Sequence, residues 1–366
     1  MTSGQEIVTI STDEVGRAEE LGNADAAPYA AEHGISLEEA AERLQAQEVI
    51  GLSLDGLSRS LGEDDAGAYI EHEPKFRVVI GTAGDAKDVE LPETLSGLDV
   101  PVEIIEREHS LAEIRRDREA IEAALESEGV DFDSYGNVVD NNAVIEVTDE
   151  SAFEELTEEA TSLSRGNSPT VVVHRVDELA QTEAGGLALT TCTAGFVVVR
   201  NGTRLLSTAA HCPNNQSLTT SGIRLNYVTG TLRNSYDVQI HSAPGVNLRN
   251  RIYVGSGSST HYRDITSRRS RAGISIGDYV CKHGKTTGYD CSYVTTKTAS
   301  TSAIPSSYPT LIGVRSHITD GGDSGGPWFN GNTAIGIHHG WVGSMSVFMS
   351  VSYLGGATGG ASIVTS

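Results

Sequence analysis

The spacing of apolar residues divides the chain at about residue 185 into two parts. In the first part, helical and strand periods alternate. Two capping boxes, Ser36-Leu37-Glu38-Glu39 and Ser110-Leu111-Ala112-Glu113, open helices that are expected to run to about 62 and 125. The other predicted elements are a helix at 152–163 and strand-like runs at 75–82, 100–105, 135–147 (with a turn at 140–142) and 170–176. Their order predicts one or two small α/β modules.

After about residue 185 the helical period disappears. Short β-branched runs alternate there with Gly, Ser, Asn and Thr, which is typical of an antiparallel barrel or sandwich. The clearest runs lie at 195–200, 204–207, 237–241, 279–281, 333–337 and 346–351. The boundary between the two parts is expected between residues 165 and 186.

Charge separates the same two parts. The net charge is −24, but residues 1–184 hold 44 acidic and 12 basic residues, whereas residues 185–366 hold 6 acidic and 14 basic ones. Two folding units of opposite charge attract each other. The basic cluster at 268–271 has no interleaved aromatic residues, so a solvated loop or a contact with the acidic half is expected rather than nucleic-acid binding.

All four cysteines lie in the basic part, which indicates two disulfides formed in an oxidising compartment. The sequence alone allows three pairings. No apolar stretch is long enough to span a membrane, and the start lacks the basic and apolar regions of a signal peptide, so secretion is inferred from the cysteines. No metal-ligand spacing is seen among four histidines of the basic part, which are His241, His261, His283 and His317. No metal or cofactor is expected.

Three short motifs carry the candidate chemistry. Ser324 lies in the glycine-flanked stretch 322–327, His211 in 208–212 and Asp237 in 236–238. A nucleophilic serine needs a base and an acid that orients the base, and these three residues fit those roles. The N–H groups of Gly322 and Ser324 are expected to form an oxyanion hole. No Asp or Glu follows Ser324, which excludes the residue order of the α/β-hydrolases.

The motifs Thr-Ala-Ala-His-Cys and Gly-Asp-Ser-Gly-Gly-Pro resemble those of the chymotrypsin-like serine proteases. The stretch 280–291 is similar to a disulfide loop of their secreted bacterial branch, the streptogrisins and α-lytic protease. The resemblance implies the disulfides Cys192–Cys212 and Cys281–Cys291 and an ion pair between Lys282 and Asp323. It also implies an α+β pro-region followed by an all-β double-barrel protease domain. The expected division is a flexible acidic segment at 1–32, an acidic pro-region at 33–178 and the protease at 179–366.

The stretch 335–341 resembles the pocket of bacterial glutamyl endopeptidases. The resemblance implies that His338 and Thr319 contact the carboxylate of the residue before the scissile bond. Both side chains can donate hydrogen bonds to a carboxylate. No Glu follows Glu183, so a glutamate-specific protease domain would resist self-cleavage. The alternative is an apolar or aromatic preference, with His338 packed beneath the pocket.

These features predict a secreted, monomeric serine endopeptidase that removes its own pro-region and acts on polypeptides. The pro-region is expected to remain a partner of the protease domain, in cis or in trans. Neither nucleic acid nor a membrane is an expected partner. Two alternatives are a non-catalytic protease-like barrel that binds a peptide and a protease held inhibited by its cleaved pro-region.

Overall fold

The computed structural model describes residues 25–128, 130, 132–148, 169–175, 187–233, 236–244, 248–255, 262–301 and 311–365. The predicted helix at 152–163 lies outside these residues, as does the stretch 176–186, where the two parts of the chain join. We call the described residues up to 175 the N-terminal region and those from 187 the C-terminal domain.

The N-terminal region contains two small modules of helix and sheet. Its helices are α1 (Ala26–His33), α2 (Leu37–Leu61), α3 (Glu93–Ser96) and α4 (Leu111–Glu128). Its strands are β1 (Asp65–Glu71), β2 (Arg77–Thr82), β3 (Val102–Glu106), β4 (Phe132–Asn137), β5 (Asn142–Val147) and β6 (Val171–Arg175). Within the described residues the predicted order of helices and strands is confirmed, with β1 as an additional strand.

The predicted capping box at Ser110 forms completely, and of the box at Ser36 the bond to the serine side chain forms. Ser36 accepts a hydrogen bond from the N–H of Glu39, and Ser110 and Glu113 each accept one from the other's backbone N–H. Because these bonds satisfy N–H groups that have no partner within the helix, they fix where α2 and α4 begin. Helix α2 packs with the sheet β1-β2-β3, and α4 packs with β4-β5-β6.

The C-terminal domain is built almost entirely from strands. They are β7 (Leu187–Ala188), β8 (Thr193–Ala194), β9 (Val197–Arg200), β10 (Thr203–Thr208), β11 (Asn226–Arg233), β12 (Tyr236–Ser242), β13 (Arg251–Tyr253), β14 (Tyr262–Asp264), β15 (Ser267–Arg268), β16 (Tyr279–Gly284), β17 (Gly288–Thr301), β18 (Leu311–Val314), β19 (Pro327–Asn330), β20 (Thr333–Val342), β21 (Met345–Ser350) and β22 (Ser362–Ile363). Strands β11-β12-β10-β9-β22 form one sheet. Strands β16-β19-β20-β21-β18-β17 form the second, which pairing of β16 with β17 closes into a barrel. This arrangement agrees with the predicted all-β double-barrel domain.

The sheets of the two parts are continuous. Strand β4 pairs antiparallel with β17, so β4, β5 and β6 extend the sheet of the C-terminal barrel. Strand β1 also contacts the domain, because the N–H of Ile70 donates to the carbonyl of Ile276 at 2.6 Å. Helix α2 comes so close that a Cβ on Gly51 would lie 2.3 Å from the carbonyl oxygen of Gly273. The N-terminal region is therefore held by backbone pairing and close packing as well as by charge.

Residues 25–32 were expected to be flexible, but they are ordered and largely helical. Asp25, Ala26 and Tyr29 are fully buried, and α1 packs against the core of the C-terminal domain. A helix of 8 residues is marginal in isolation, so its order depends on tertiary contacts that its Ala-rich sequence does not reveal. Residues 1–24 of the expected segment lie outside the described residues.

Two further differences concern the C-terminal domain. A short helix, α5 (Leu354–Thr358), buries Leu354 and Ala357. The sequence did not predict it, because its two glycines have low helix propensity. In the basic cluster, Arg268 is exposed as expected, whereas Arg269 is buried and pairs with Asp278 of the same domain at 3.1 Å. Within the described part of the chain, no helix combines the length and apolar character needed to cross a membrane.

Candidate active site

The carboxylate of Asp237 is the centre of the site. Asp237 lies near the start of β12 and is almost completely buried. Its Oδ1 accepts hydrogen bonds from the N–H groups of Ala210 (2.7 Å) and His211 (3.0 Å), and its Oδ2 accepts one from His211 Nδ1 (2.8 Å). Burial alone would raise the pKa of Asp237, but the charge of His211 and the hydrogen bonds from His211 and His339 lower it well below its usual value. The carboxylate is therefore ionised and fixes the Nδ1–H tautomer of His211.

The segment that carries His211 is held from several sides. It follows β10 and is linked to the bend between β7 and β8 by the disulfide Cys192–Cys212. The side-chain amide of Gln239 donates to the carbonyls of Ala209 and Cys212, both at 2.9 Å. These contacts orient the imidazole through its backbone. The second disulfide, Cys281–Cys291, joins β16 to β17. Both disulfides match the pairings that the family resemblance implies.

Ser324 lies in a loop whose shape requires glycine. Gly322 and Gly325 have φ angles of 120° and 86°, which side chains disfavour. A Cβ on Gly325 would lie 2.3 Å from Thr208 Oγ1, so glycine also allows this loop to approach the segment that carries His211. The Ser324 hydroxyl donates to the carbonyl oxygen of His339 at 2.9 Å. The expected role of His211 as the base for this hydroxyl stays a prediction.

The N–H groups of Gly322 and Ser324 stand on this loop as well. Within the described residues, neither donates a hydrogen bond to another protein group. Two backbone donors without a protein acceptor on a turn form a site that favours an anion. Their role as an oxyanion hole remains a prediction.

The predicted ion pair between Lys282 and Asp323 is confirmed. Lys282 Nζ lies 3.6 Å from Asp323 Oδ2, and both side chains are buried. Asp323 also accepts hydrogen bonds from the N–H groups of Thr286 (3.0 Å) and Asp320 (3.1 Å). Burial alone would raise the pKa of Asp323, but Lys282 and these donors lower it. The pair therefore ties the serine loop to the β16–β17 hairpin.

His339 also contacts Asp237, which the sequence did not predict. Its Nδ1 donates to Asp237 Oδ2 at 2.6 Å, and its ring lies perpendicular to that of His211 at 5.4 Å. His338 and His339 are consecutive in β20, and consecutive strand side chains point to opposite faces. The pairing of β20 with β21 shifts register between His338 and Gly340, so alternation along the strand alone could not show which histidine faces Asp237. His339 thus connects two residues of the site. Its ring donates a hydrogen bond to Asp237, and its backbone carbonyl accepts one from the Ser324 hydroxyl.

The predicted pocket residues lie near one another on the barrel. The Trp328 Nε1–H donates to His338 Nδ1 at 3.4 Å, and both side chains are buried. Thr319 and Ser346 share a hydrogen bond of 2.6 Å between their hydroxyls. Because His338 pairs with Phe348 in the sheet, Ser346 lies on the same face of the neighbouring strand as His338.

His211, Asp237 and His339 also form the one group of described residues whose ligand atoms could converge on a metal ion, within 4.8 Å of one another. Both Nδ1 atoms already donate to the carboxylate. Hydrogen bonding therefore accounts for the cluster.

Comparison with known proteins places this geometry in a family. The trypsin family model matches residues 171–349. Streptogrisin-A from Streptomyces griseus is 34% identical over 167 residues, which cover 44% of this chain and 52% of that protein. Glutamyl endopeptidase 2 from the same species is 31% identical over 158 residues, which cover 41% of this chain and 78% of that protein. A solved glutamic acid-specific serine protease that uses a histidine triad in substrate binding has a TM-score of 0.40 and 26% identity, covering 47% of this chain and 96% of that one.

The extent of these matches differs between the relatives. The chain spans about half the length of streptogrisin-A but more than two thirds of glutamyl endopeptidase 2. The matched residues include those that carry His211, Asp237 and Ser324. The chain therefore belongs to the bacterial branch of the chymotrypsin-like serine proteases.

Proposed function

We propose that this chain is the precursor of a secreted serine endopeptidase in which residues 33–178 are a pro-region and residues 179–366 are the protease. The observation that carries the proposal is the ionised, buried Asp237, which orients His211 beside the glycine-rich loop of Ser324. The pairing of β4 with β17 and the opposite charges of the two parts support a pro-region that stays bound to the protease.

The reaction begins when the Ser324 hydroxyl turns from the His339 carbonyl toward Nε2 of His211. His211 accepts the hydroxyl proton while Oγ attacks the scissile carbonyl, and the N–H groups of Gly322 and Ser324 stabilise the oxyanion. His211 then protonates the leaving amine as the C–N bond breaks. Water activated by the same histidine hydrolyses the acyl-enzyme, and Asp237 stays ionised throughout.

We further propose that the pocket prefers glutamate before the scissile bond. A tryptophan N–H only donates, so Trp328 makes Nδ1 of His338 the acceptor. Burial lowers the pKa of His338 to about 3, so the ring is neutral and its remaining hydrogen is on Nε2. That buried Nε2 has no partner among the described residues. A substrate carboxylate would satisfy this donor, as would be expected for a relative of glutamyl endopeptidase 2.

Ser324→Ala tests the proposed activity. We expect the refolded, oxidised wild-type chain to lose its N-terminal region on incubation, with fragments that end in Glu, and the variant to stay intact because it lacks the nucleophile. Mass spectrometry of both samples measures this. Cuts after aromatic or aliphatic residues would keep the protease and reject the glutamate preference. Cleavage of the purified variant would reject self-processing.

Trp328→Phe tests the pocket. Without the indole N–H, the tautomer of His338 is no longer fixed, so we expect kcat/KM for a Glu peptide to fall about 10-fold, corresponding to about 1.4 kcal/mol. Hydrolysis of the matching Gln and Leu peptides should change much less. Phe348→Leu is the matched control, because Phe348 stacks on Trp328 at 4.8 Å without a polar group. Equal losses on all three peptides in Trp328→Phe would show that the tautomer is irrelevant.

His339 should act as a positioning residue. We expect His339→Ala to lower kcat by about 10- to 100-fold with little change in KM, because Asp237 loses a charge-assisted hydrogen bond of about 1.5–3 kcal/mol. His339→Asn keeps an N–H donor and should restore most of the rate. Steady-state kinetics on one peptide substrate would measure both. If the Asn and Ala variants were equally impaired, His339 would serve only to fill space.

A further inference from the structure

The carboxylate of Asp25 is buried in the C-terminal domain, far along the chain from its partners. Its side chain has no solvent exposure. Oδ1 accepts hydrogen bonds from Arg263 Nη1 at 2.6 Å and from the Tyr289 hydroxyl at 2.8 Å, and Oδ2 accepts one from the N–H of Gly331. One carboxylate thus takes three donors from three separate segments of the C-terminal domain.

The donors are held in place by contacts within the C-terminal domain itself. The Arg263 guanidinium lies 5.1 Å from the centre of the Phe329 ring and also donates to the Gly331 carbonyl at 3.4 Å. The Tyr289 hydroxyl lies 3.3 Å from Sγ of Cys281, which belongs to a disulfide. Gly331 occupies the turn between β19 and β20 with a φ of 52°. Because these contacts do not involve Asp25, the donor set is preorganised for a carboxylate.

The surface around these donors also fits the helix that follows Asp25. Asp25 immediately precedes α1, whose Ala26, Ala27 and Ala30 are buried against the same core. The Tyr29 ring meets that of Tyr279 at 5.1 Å. The surface therefore accepts an acidic residue at the start of a helix with small side chains.

The site is separate from the catalytic cleft. Gly331 precedes β20, whereas His338 and His339 are the sixth and seventh of its 10 residues. The seven or eight residues of chain from Gly331 correspond to roughly 23–26 Å at the rise of an extended strand. Occupation of this site does not require the substrate pocket.

We propose that Arg263, Tyr289 and the N–H of Gly331 form a second, carboxylate-binding site on the C-terminal domain, which Asp25 fills in the single chain. A buried guanidinium left without its anion is strongly destabilising, so the site requires a carboxylate ligand. If the chain is processed as proposed, the same contact holds the cleaved N-terminal region on the protease; this second part rests on the proposed function.

Rescue by acetate tests the site without any proteolysis. In the uncleavable Ser324→Ala full chain, Asp25→Gly should speed amide hydrogen exchange of α1 at least about 10-fold. Sodium acetate at about 0.2 M should restore most of the protection, whereas sodium chloride at equal ionic strength should not. Asp99→Gly, which removes an exposed acid of the same region, is the control and should leave α1 unchanged.

Arg263→Met added to Asp25→Gly should abolish the acetate effect. If that variant does not fold, Arg263→Lys keeps the charge without the planar fork and should weaken the rescue by acetate. Equal effects of acetate and chloride on Asp25→Gly would overturn the site.

Retention after cleavage has its own measurement. Gel filtration with mass spectrometry of the incubated wild-type chain should find the cut N-terminal region together with the protease, and Asp25→Asn should increase the fraction of the region that separates, because β4 and α2 still hold the rest of it. A fragment that separates from the wild-type protease would overturn retention. A wild-type chain that is never cut would contradict the proposed function while leaving the acetate result intact.

Discussion

The site depends on the burial of one carboxylate. Asp237 has almost no solvent exposure, so its charge is tolerable only because four N–H groups donate to it. Two of them belong to the backbone of the segment that carries His211, one to the His211 ring and one to His339. This one group therefore holds the backbone and ring of His211 as well as the ring of His339, whose carbonyl accepts the hydrogen bond from the Ser324 hydroxyl.

The N-terminal region is attached to the C-terminal domain by contacts of several kinds. Strand β4 extends the barrel sheet, Ile70 pairs with Ile276, and Asp25 enters a buried donor set. Of these contacts, only that of Asp25 with Arg263 is an ion pair between the acidic and the basic part of the chain, as the charge asymmetry suggested. The acidic surface favours association, whereas backbone pairing and the buried carboxylate determine the register and position.

The sequence predicted those features that depend on short stretches of neighbouring residues. Capping boxes located α2 and α4, and the family motifs identified the residues that surround Asp237. It could not predict α1, because the order of residues 25–33 comes from packing against Tyr279 and from Arg263, more than 200 residues away. It also missed His339, since the choice of which histidine in a consecutive pair faces Asp237 depends on the register of β20. For the basic cluster, a solvated loop or a contact with the acidic half was expected; burial of Arg269 could not be predicted because its partner, Asp278, is apparent only in the folded chain.

The dependence of the site on Asp237 is tested by the rate at which a fluorophosphonate probe labels Ser324 in the incubated chain and in its Asp237→Asn variant. Probe chemistry reports the activated nucleophile without assuming a substrate preference. We expect a single labelled residue, Ser324, and a rate that falls on the order of 10⁴-fold in the variant, where His211 loses the partner that fixes its tautomer. Equal labelling of both chains, or no labelling of the wild type, would show that Asp237 does not activate Ser324 through His211.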